Sequence, residues 1–279
     1  MNIGPYLLDN IYCGDSALML AALPDACVDL TVTSPPYDNL RSYNGYSWDF
    51  DAIAMQLYRV TKPGGVVVWV VGDATVNGSE TGSSFRQALG LMEIGFNLHD
   101  TMIWKKITPV PQFESGRYTG AFEYMLIFSK GKPKICNYLL DGCNTVGGKK
   151  NRNNRGSFSI NSADKPRNEV TITKETKIRC NVWDYPVGGN KDMGHPAIFP
   201  EALARDHVLS WSNPGDIVLD PFAGSGTTAK MSKMLSRHWL GFDISQEYVD
   251  LANRRVAGAN VPLPLFVEQP VKPTQLTII

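Results

Sequence analysis

Two short strings carry the residues whose types and spacing could do chemistry. The first, Asp220-Pro221-Phe222-Ala223-Gly224-Ser225-Gly226-Thr227-Thr228-Ala229, follows the apolar run Ile217-Val218-Leu219. It places Gly224, Gly226 and Ala229 at the G-x-G-x-x-G/A spacing of a strand-to-helix nucleotide turn. Small residues suit such a turn because a ligand must approach the backbone closely. Asp243 ends the next apolar run, Trp239-Leu240-Gly241-Phe242, 23 positions after Asp220. That is about where such folds set a carboxylate on ribose hydroxyls. Far upstream, Thr33-Ser34-Pro35-Pro36-Tyr37 offers a different set of groups. Its prolines fix φ and lack N–H donors, so the turn is stiff and can aim a carbonyl. By itself S-P-P-Y is an ordinary turn after a strand; beside a matching nucleotide loop it becomes a candidate reaction centre.

Together the two strings resemble the amino-group DNA methyltransferases, which use S-adenosylmethionine. D-P-F-x-G-S-G-T-T is similar to that family's cofactor loop and S-P-P-Y to its catalytic tetrapeptide. The tetrapeptide comes first here, as in the circularly permuted beta class. Gly14-Asp15, Gly64-Gly65, Phe122-Glu123-Tyr124 with Ser129-Lys130, and His195-Pro196-Ala197 with Phe199-Pro200 resemble further blocks in that group's order, so the likeness spans residues 9–257. It implies a cofactor site at Asp220, Pro221, Phe222, Ala223, Gly224, Ser225, Gly226, Thr227 and Thr228. Asp243 would sit on the ribose, Asp15 at the adenine amine, and His195 and Phe199 over the cofactor's amino-acid end. Asp15 reads equally as a helix N-cap before Ala17-Leu18-Met19, and His195 as a structural histidine.

Methyl transfer from a sulfonium to an exocyclic amine is a direct in-line displacement with no covalent enzyme intermediate, so the site must align nitrogen, methyl carbon and sulfur. The amine's lone pair is delocalised into the base, and acceptors that hold its hydrogens favour tetrahedral nitrogen. Ser34 Oγ and the Pro35 carbonyl are suited to this, with Pro36 stiffening the turn. The reacting atom is inaccessible within a duplex, which implies a flipped base stacked on Tyr37. In the family, serine at the first tetrapeptide position is usual for cytosine N4, and Asp or Asn for adenine N6. Cytosine N4 is therefore the expected target and adenine N6 the alternative; a hydroxyl can serve either, because it both accepts and donates. Arg41 and Tyr43 could order against a flipped nucleotide and its phosphate, or equally pair with a surface carboxylate and pack under a loop.

A chain of 279 residues with 43% hydrophobic content can bury the core of one large α/β domain. Its zero net charge hides an asymmetry. Lys130 to Lys191 holds thirteen Lys and Arg against five Asp and Glu, a balance of +8 that leaves −8 on the remainder. A basic segment in an acidic protein is a plausible footprint for a polyanion, here double-stranded DNA, with Lys149, Lys150, Arg152 and Arg155 the candidate contacts; a solvated loop is the plain alternative. The five cysteines form no C-x-x-C pair and are odd in number, suggesting neither zinc nor a disulfide framework, and no metal site is expected. With neither a signal-peptide pattern nor a membrane-length apolar run, the expectation is a soluble, cytoplasmic protein, monomeric or homodimeric. A cognate restriction endonuclease acting on the same site is a conceivable partner.

Other classes fit less well. There is no G-x-x-x-x-G-K-[ST] for a phosphate-loop NTPase, and no cysteine follows a proline, as the resemblance to a cytosine-C5 enzyme would require. A dehydrogenase could share the glycine turn and Asp243 but leaves S-P-P-Y unexplained. A catalytically idle DNA-binding protein, or an RNA substrate, stays open.

The elements that must position these residues alternate between apolar strand-like runs and helix-like stretches, the pattern of a mostly parallel sheet covered on both faces. Seven strands are predicted at 7–12, 28–33, 66–71, 98–104, 124–128, 217–220 and 239–243, and helices at 16–23, 50–60, 83–94, 201–212, 227–235 and 246–257. The expected fold is a Rossmann-like methyltransferase domain. Residues 1–130 form its catalytic half, 131–190 a polar target-recognition insertion, 191–260 the cofactor-binding half, and 261–279 an extended tail.

Overall fold

The computed structural model describes residues 1–36, 48–109, 116–142, 176–187 and 200–260, and the backbone of 150–151 and 171–172. Eight strands, β1 (Asn10–Cys13), β2 (Val28–Thr33), β3 (Thr61–Val71), β4 (Asn97–Lys106), β5 (Phe122–Ser129), β6 (Val182–Tyr185), β7 (Ile217–Asp220) and β8 (His238–Asp243), form one sheet. Their order is β6-β4-β5-β3-β2-β7-β8-β1. Only β5 runs against its neighbours β3 and β4; the other pairings are parallel. The helices are α1 (Ser16–Ala21), α2 (Phe50–Val60), α3 (Ser83–Ile94), α4 (Glu201–Trp211), α5 (Thr227–Met234) and α6 (Gln246–Ala257). None among the described residues is long and apolar enough to cross a membrane.

The centre of the sheet explains its two-sided burial. Along β3, Val67, Trp69 and Val71 pack on one face with Leu20 of α1, Ile53 and Leu57 of α2 and Leu91 of α3. Val66, Val68 and Val70 pack on the other with Leu203, Val208 and Trp211 of α4. A strand covered on both faces reads as a continuous apolar run because successive side chains point to opposite sides. At α2, Asp49 accepts a hydrogen bond from the Ala52 N–H at 3.1 Å, and Asp51 and Arg59 lie at the ends that suit their charges.

β2 crosses over to β3 on one side and β7 to β8 on the other, so the connections diverge at the β2–β7 boundary. Only Val218↔Leu30 and Leu219↔Thr31 are in register there. A crevice at the carboxyl ends of two such strands is where open α/β sheets bind ligands.

The sequence expectation differs from the structure in three places. The strand expected at 7–12 splits: Tyr6–Leu7 pairs with Asn2–Ile3, while Asn10–Cys13 joins the sheet. Asp9 breaks the run at φ 67°, its carboxylate accepting from the Trp239 N–H at 3.2 Å. The strand expected at 66–71 begins five residues earlier, at Thr61, with Gly64 inside it at φ 82°. Finally, the described residues form eight sheet strands rather than seven, because β6, inside the segment assigned to the insertion, pairs with β4. Trp183 and Tyr185 are its buried residues, and four residues among polar neighbours are too short for alternation to stand out. The start of that segment also packs on the scaffold: Asn137 Nδ2 donates to the Leu209 and Ser212 carbonyls at 3.0 and 3.1 Å. Between these anchors, Leu140–Gly142 pairs with Thr176–Ile178 and Lys150–Asn151 with Thr171–Ile172, both antiparallel and nested in sequence.

Candidate functional site

The loop after β7 is held from several sides. Its first residue, Asp220, is buried, and its Oδ1 accepts from Thr33 Oγ1 at 2.7 Å and from the Phe222 N–H at 3.1 Å. Burial pushes the Asp220 carboxyl up to about 6, against the opposing effect of hydrogen bonds from Thr33, the Phe222 N–H and Thr228. The Ala223 N–H donates to the Phe242 carbonyl of β8 at 2.8 Å. Pro221 is tied to α1 through its carbonyl, which accepts from Ser16 Oγ. The Phe222 ring packs edge-on against Trp48 and Trp69, with centroids 5.2 and 6.4 Å apart, so it anchors the loop to the core beneath.

Gly224 adopts φ 50° and its N–H donates to Asp243 Oδ2 at 2.8 Å; the Ser245 N–H donates to Asp243 Oδ1 at 2.9 Å. Burial raises the Asp243 carboxyl and these two N–H groups lower it. Gly226, at φ 76°, caps α5. A β-carbon there would stand 2.8 Å from the Ala252 β-carbon of α6. Gly226 is therefore small for helix packing, whereas the motif spacing alone points to ligand approach. Ser225, Thr227 and Thr228 are buried, and Thr228 Oγ1 donates to the Val32 carbonyl of β2 at 3.0 Å.

β1 and β8 bring Asp15 to the same edge: Cys13 pairs with Asp243, and the Gly14 N–H donates to the Asp243 carbonyl at 2.9 Å. Asp15 is the N-cap of α1, accepting from the Leu18 N–H at 3.0 Å. Ser34, Pro35 and Pro36 follow β2 directly, Pro35 buried and the other two partly so. Thr33, next to Ser34, and Asp220, the first residue of the loop, thus meet across the switch point although distant in sequence.

Tyr37, Arg41, Tyr43, Lys149, Arg152, Arg155, His195 and Phe199 lie outside the described residues, and of Lys150 only the backbone is described. Among the described residues no group of three or more His, Cys, Asp or Glu has metal-holding geometry. Sequence reasoning missed two residues that shape the site. Thr33 reads as one more β-branched strand former, and its hydroxyl gives no local signal. Arg255 reads as a surface residue of α6, yet it donates to the Ser225 carbonyl and pairs with Glu201 at 2.9 Å. Its spacing from the loop carries no motif.

Residues 28–254 match the family model described as DNA methylase, which groups N6 and N4 methyltransferases. The chain is 55% identical over 240 residues to the orphan methyltransferase M.BamHII of Bacillus amyloliquefaciens, covering 83% of this chain and 89% of that one. It is 31% identical over 262 residues to the type II methyltransferase M.BglII of Bacillus subtilis, covering 90% and 69%. Among solved structures, a Thermus thermophilus protein assigned as a DNA modification methylase, complexed with S-adenosyl-L-methionine, superposes with a TM-score of 0.58 at 28% identity, covering 89% of this chain and 94% of that one.

Proposed function

The chain belongs to the N6/N4 DNA methylase family, and from that premise we propose that it methylates the exocyclic N4 amine of cytosine at a specific sequence in duplex DNA. It is an S-adenosylmethionine-dependent DNA methyltransferase with a Rossmann-like fold; the base and the roles of its residues are our reading. One juxtaposition carries it. Thr33, immediately before Ser34, is hydrogen-bonded to Asp220, which opens the glycine loop.

The residues present fit the cofactor. Each Asp243 oxygen accepts one N–H, and a carboxylate has about four lone-pair sites, so capacity remains for two ribose hydroxyls. Asp15 uses one oxygen to cap α1 and keeps the other available for an adenine amine. When bound, S-adenosylmethionine supplies a methyl carbon activated by a sulfonium. Gly224, Ser225 and Gly226, at the start of α5, would hold its amino-acid portion, with His195 and Phe199 closing over it. Ser34 Oγ and the Pro35 carbonyl would accept the amine hydrogens of the target base, drawing the nitrogen lone pair out of conjugation. Pro35 and Pro36 keep those acceptors fixed, so no reorganisation is needed as charge develops. Tyr37 would stack on the flipped base, and Arg41 and Tyr43 would hold its flanks.

Ser34 supports cytosine over adenine, through the family habit of placing serine there for N4 chemistry. DNA would lie across the carboxyl edge, with the segment 131–190 supplying phosphate and base contacts. Neutralising Lys149, Lys150, Arg152 and Arg155 together should flatten the dependence of log Kd on log salt by up to about 3.6; an unchanged slope would return these residues to a solvated loop. The 55% relative is named an orphan methyltransferase, which favours a solitary modification enzyme over one paired with an endonuclease.

The test is to incubate the protein with S-adenosylmethionine and mixed-sequence duplex DNA, digest to nucleosides and identify methylated species by mass spectrometry. N4-methylcytosine is the expected product. N6-methyladenine would overturn the base assignment and the weight placed on Ser34.

A further inference from the structure

At the switch point the backbone pairing of β2 and β7 ends at Leu219↔Thr31. Beyond it, side chains continue the joint. Thr33 Oγ1 donates to Asp220 Oδ1 at 2.7 Å, and Thr228 Oγ1 donates to the Val32 carbonyl at 3.0 Å. Thr33 is 0% and Asp220 3% exposed, so water does not compete for this bond. The Asp220 oxygen that takes the Thr33 hydroxyl also takes the Phe222 N–H. A single carboxylate oxygen therefore ties the residue before the tetrapeptide to the backbone of the glycine loop.

We infer that Thr33 is a positioning residue that couples the cofactor loop to the tetrapeptide turn, so that an occupied loop sets the turn for the target base. The inference rests on the reading of Ser34 as the reaction centre and of the glycine loop as the cofactor site. Its physical basis is the placement of the bond. Any shift of the Phe222–Gly224 backbone on ligand binding is felt at Asp220 Oδ1 and passes to the strand end that carries Ser34. Placement errors on the order of 1 Å at a reacting group can cost about a hundredfold in rate. A hydroxyl at position 33 is required; a side chain that merely fills the space is not enough.

The experiment compares wild type with Thr33→Val, which keeps the shape and removes the hydroxyl, Thr33→Ala, which removes both, and Thr33→Ser, which restores the hydroxyl. Two quantities are read on folded protein. One is the single-turnover rate at saturating S-adenosylmethionine and duplex. The other is the ratio of duplex Kd without and with S-adenosylhomocysteine. Thr33→Val and Thr33→Ala should bind S-adenosylhomocysteine within about threefold of wild type, lose at least about tenfold in rate, and bring the duplex ratio close to one; Thr33→Ser should keep rate and ratio within about threefold. A wild-type rate and ratio in Thr33→Val or Thr33→Ala would overturn the inference, as would a wild-type duplex ratio of one. Thr33→Ser failing as badly as Thr33→Val would show that packing matters and the hydroxyl does not. Should Thr33→Val not fold, the Thr33→Ala and Thr33→Ser pair decides the matter alone. Ser34→Ala, run in parallel, separates the two levels. If it retains turnover the reaction centre is misplaced, whereas if it is inactive while Thr33→Val is normal, only the coupling fails.

Discussion

The two loops that meet at the switch point are held in opposite ways. The loop after Asp220 is fastened from several directions by side chains and backbone of both halves of the fold: Asp243 on Gly224, the Phe242 carbonyl on Ala223, Arg255 on Ser225, Ala252 packed against Gly226, Ser16 on the Pro221 carbonyl, and Trp48 and Trp69 against Phe222. The turn after Thr33 is stiffened internally by two prolines, and Thr33 joins it to its neighbour by bonding to Asp220. A loop built this way is preorganised by the protein. The turn after Thr33 is tied through that residue to the loop after Asp220.

That contrast can be broken at several points. The largest effect belongs to the turn: Ser34→Ala should lose on the order of 10²–10³ in turnover, as expected for one preorganised polar group at developing charge. Its S-adenosylmethionine affinity, measured by calorimetry, should stay at the wild-type value. A parallel loss of cofactor binding would mean that the two loops do not divide the work.

The joint itself has a signature in stability. Because burial raises Asp220 to about 6 in the folded state, the folded protein holds that proton more tightly than the unfolded chain. The contribution is full below about pH 4 and is lost as pH rises through about 6, a span of about 3 kcal/mol. Urea unfolding of wild type and Asp220→Asn should therefore show wild type gaining about 2.5 kcal/mol relative to the variant on going from about pH 7 to about pH 4. Parallel pH profiles would show Asp220 to be normal and the joint solvated. His207, buried against Trp183 and lowered to about 3, has the opposite sign: its neutral form is favoured in the fold, so its contribution falls as pH drops below about 6.5. The difference between wild type and Asp220→Asn isolates Asp220 from it.

Smaller effects should sharpen the comparison from the loop side. Asp243→Ala removes the proposed acceptor for the ribose hydroxyls and a clasp on Gly224, and should weaken S-adenosylmethionine binding by about 10–100-fold, in line with about 1.5–3 kcal/mol for hydrogen bonds to a charged group. Arg255→Met removes a single charged donor from the Ser225 carbonyl and should raise the cofactor Kd by about tenfold with little change in the single-turnover rate at saturation. A lowered saturated rate there would place Arg255 closer to the chemistry than its contacts suggest.

Much of this arrangement is legible in the amino-acid sequence. The two motif strings, their order and, among the described residues, six helices and seven of the eight sheet strands follow from local patterns, and α2, α3 and α6 begin and end at the residues expected. What escapes has little local signature. β6 is four residues long, and its Trp183 and Tyr185 look apolar-periodic only once β4 lies beside them. The small size of Gly226 suggests a ligand, because nothing in the sequence places Ala252 against it. Thr33 carries no sign of its partner 187 positions away.

The amino-acid sequence by itself determined which chemistry this protein is equipped for, because nucleotide turns, stiff proline turns and strand alternation are set by backbone sterics and side-chain periodicity within a few residues. Only the tertiary structure decided how those parts act on one another. Parallel strands pair through long crossovers, and the crossovers at β2 and β7 leave in opposite directions. The hydroxyl of Thr33 and the carboxylate of Asp220 therefore come within hydrogen-bonding distance only when the whole sheet has closed around them.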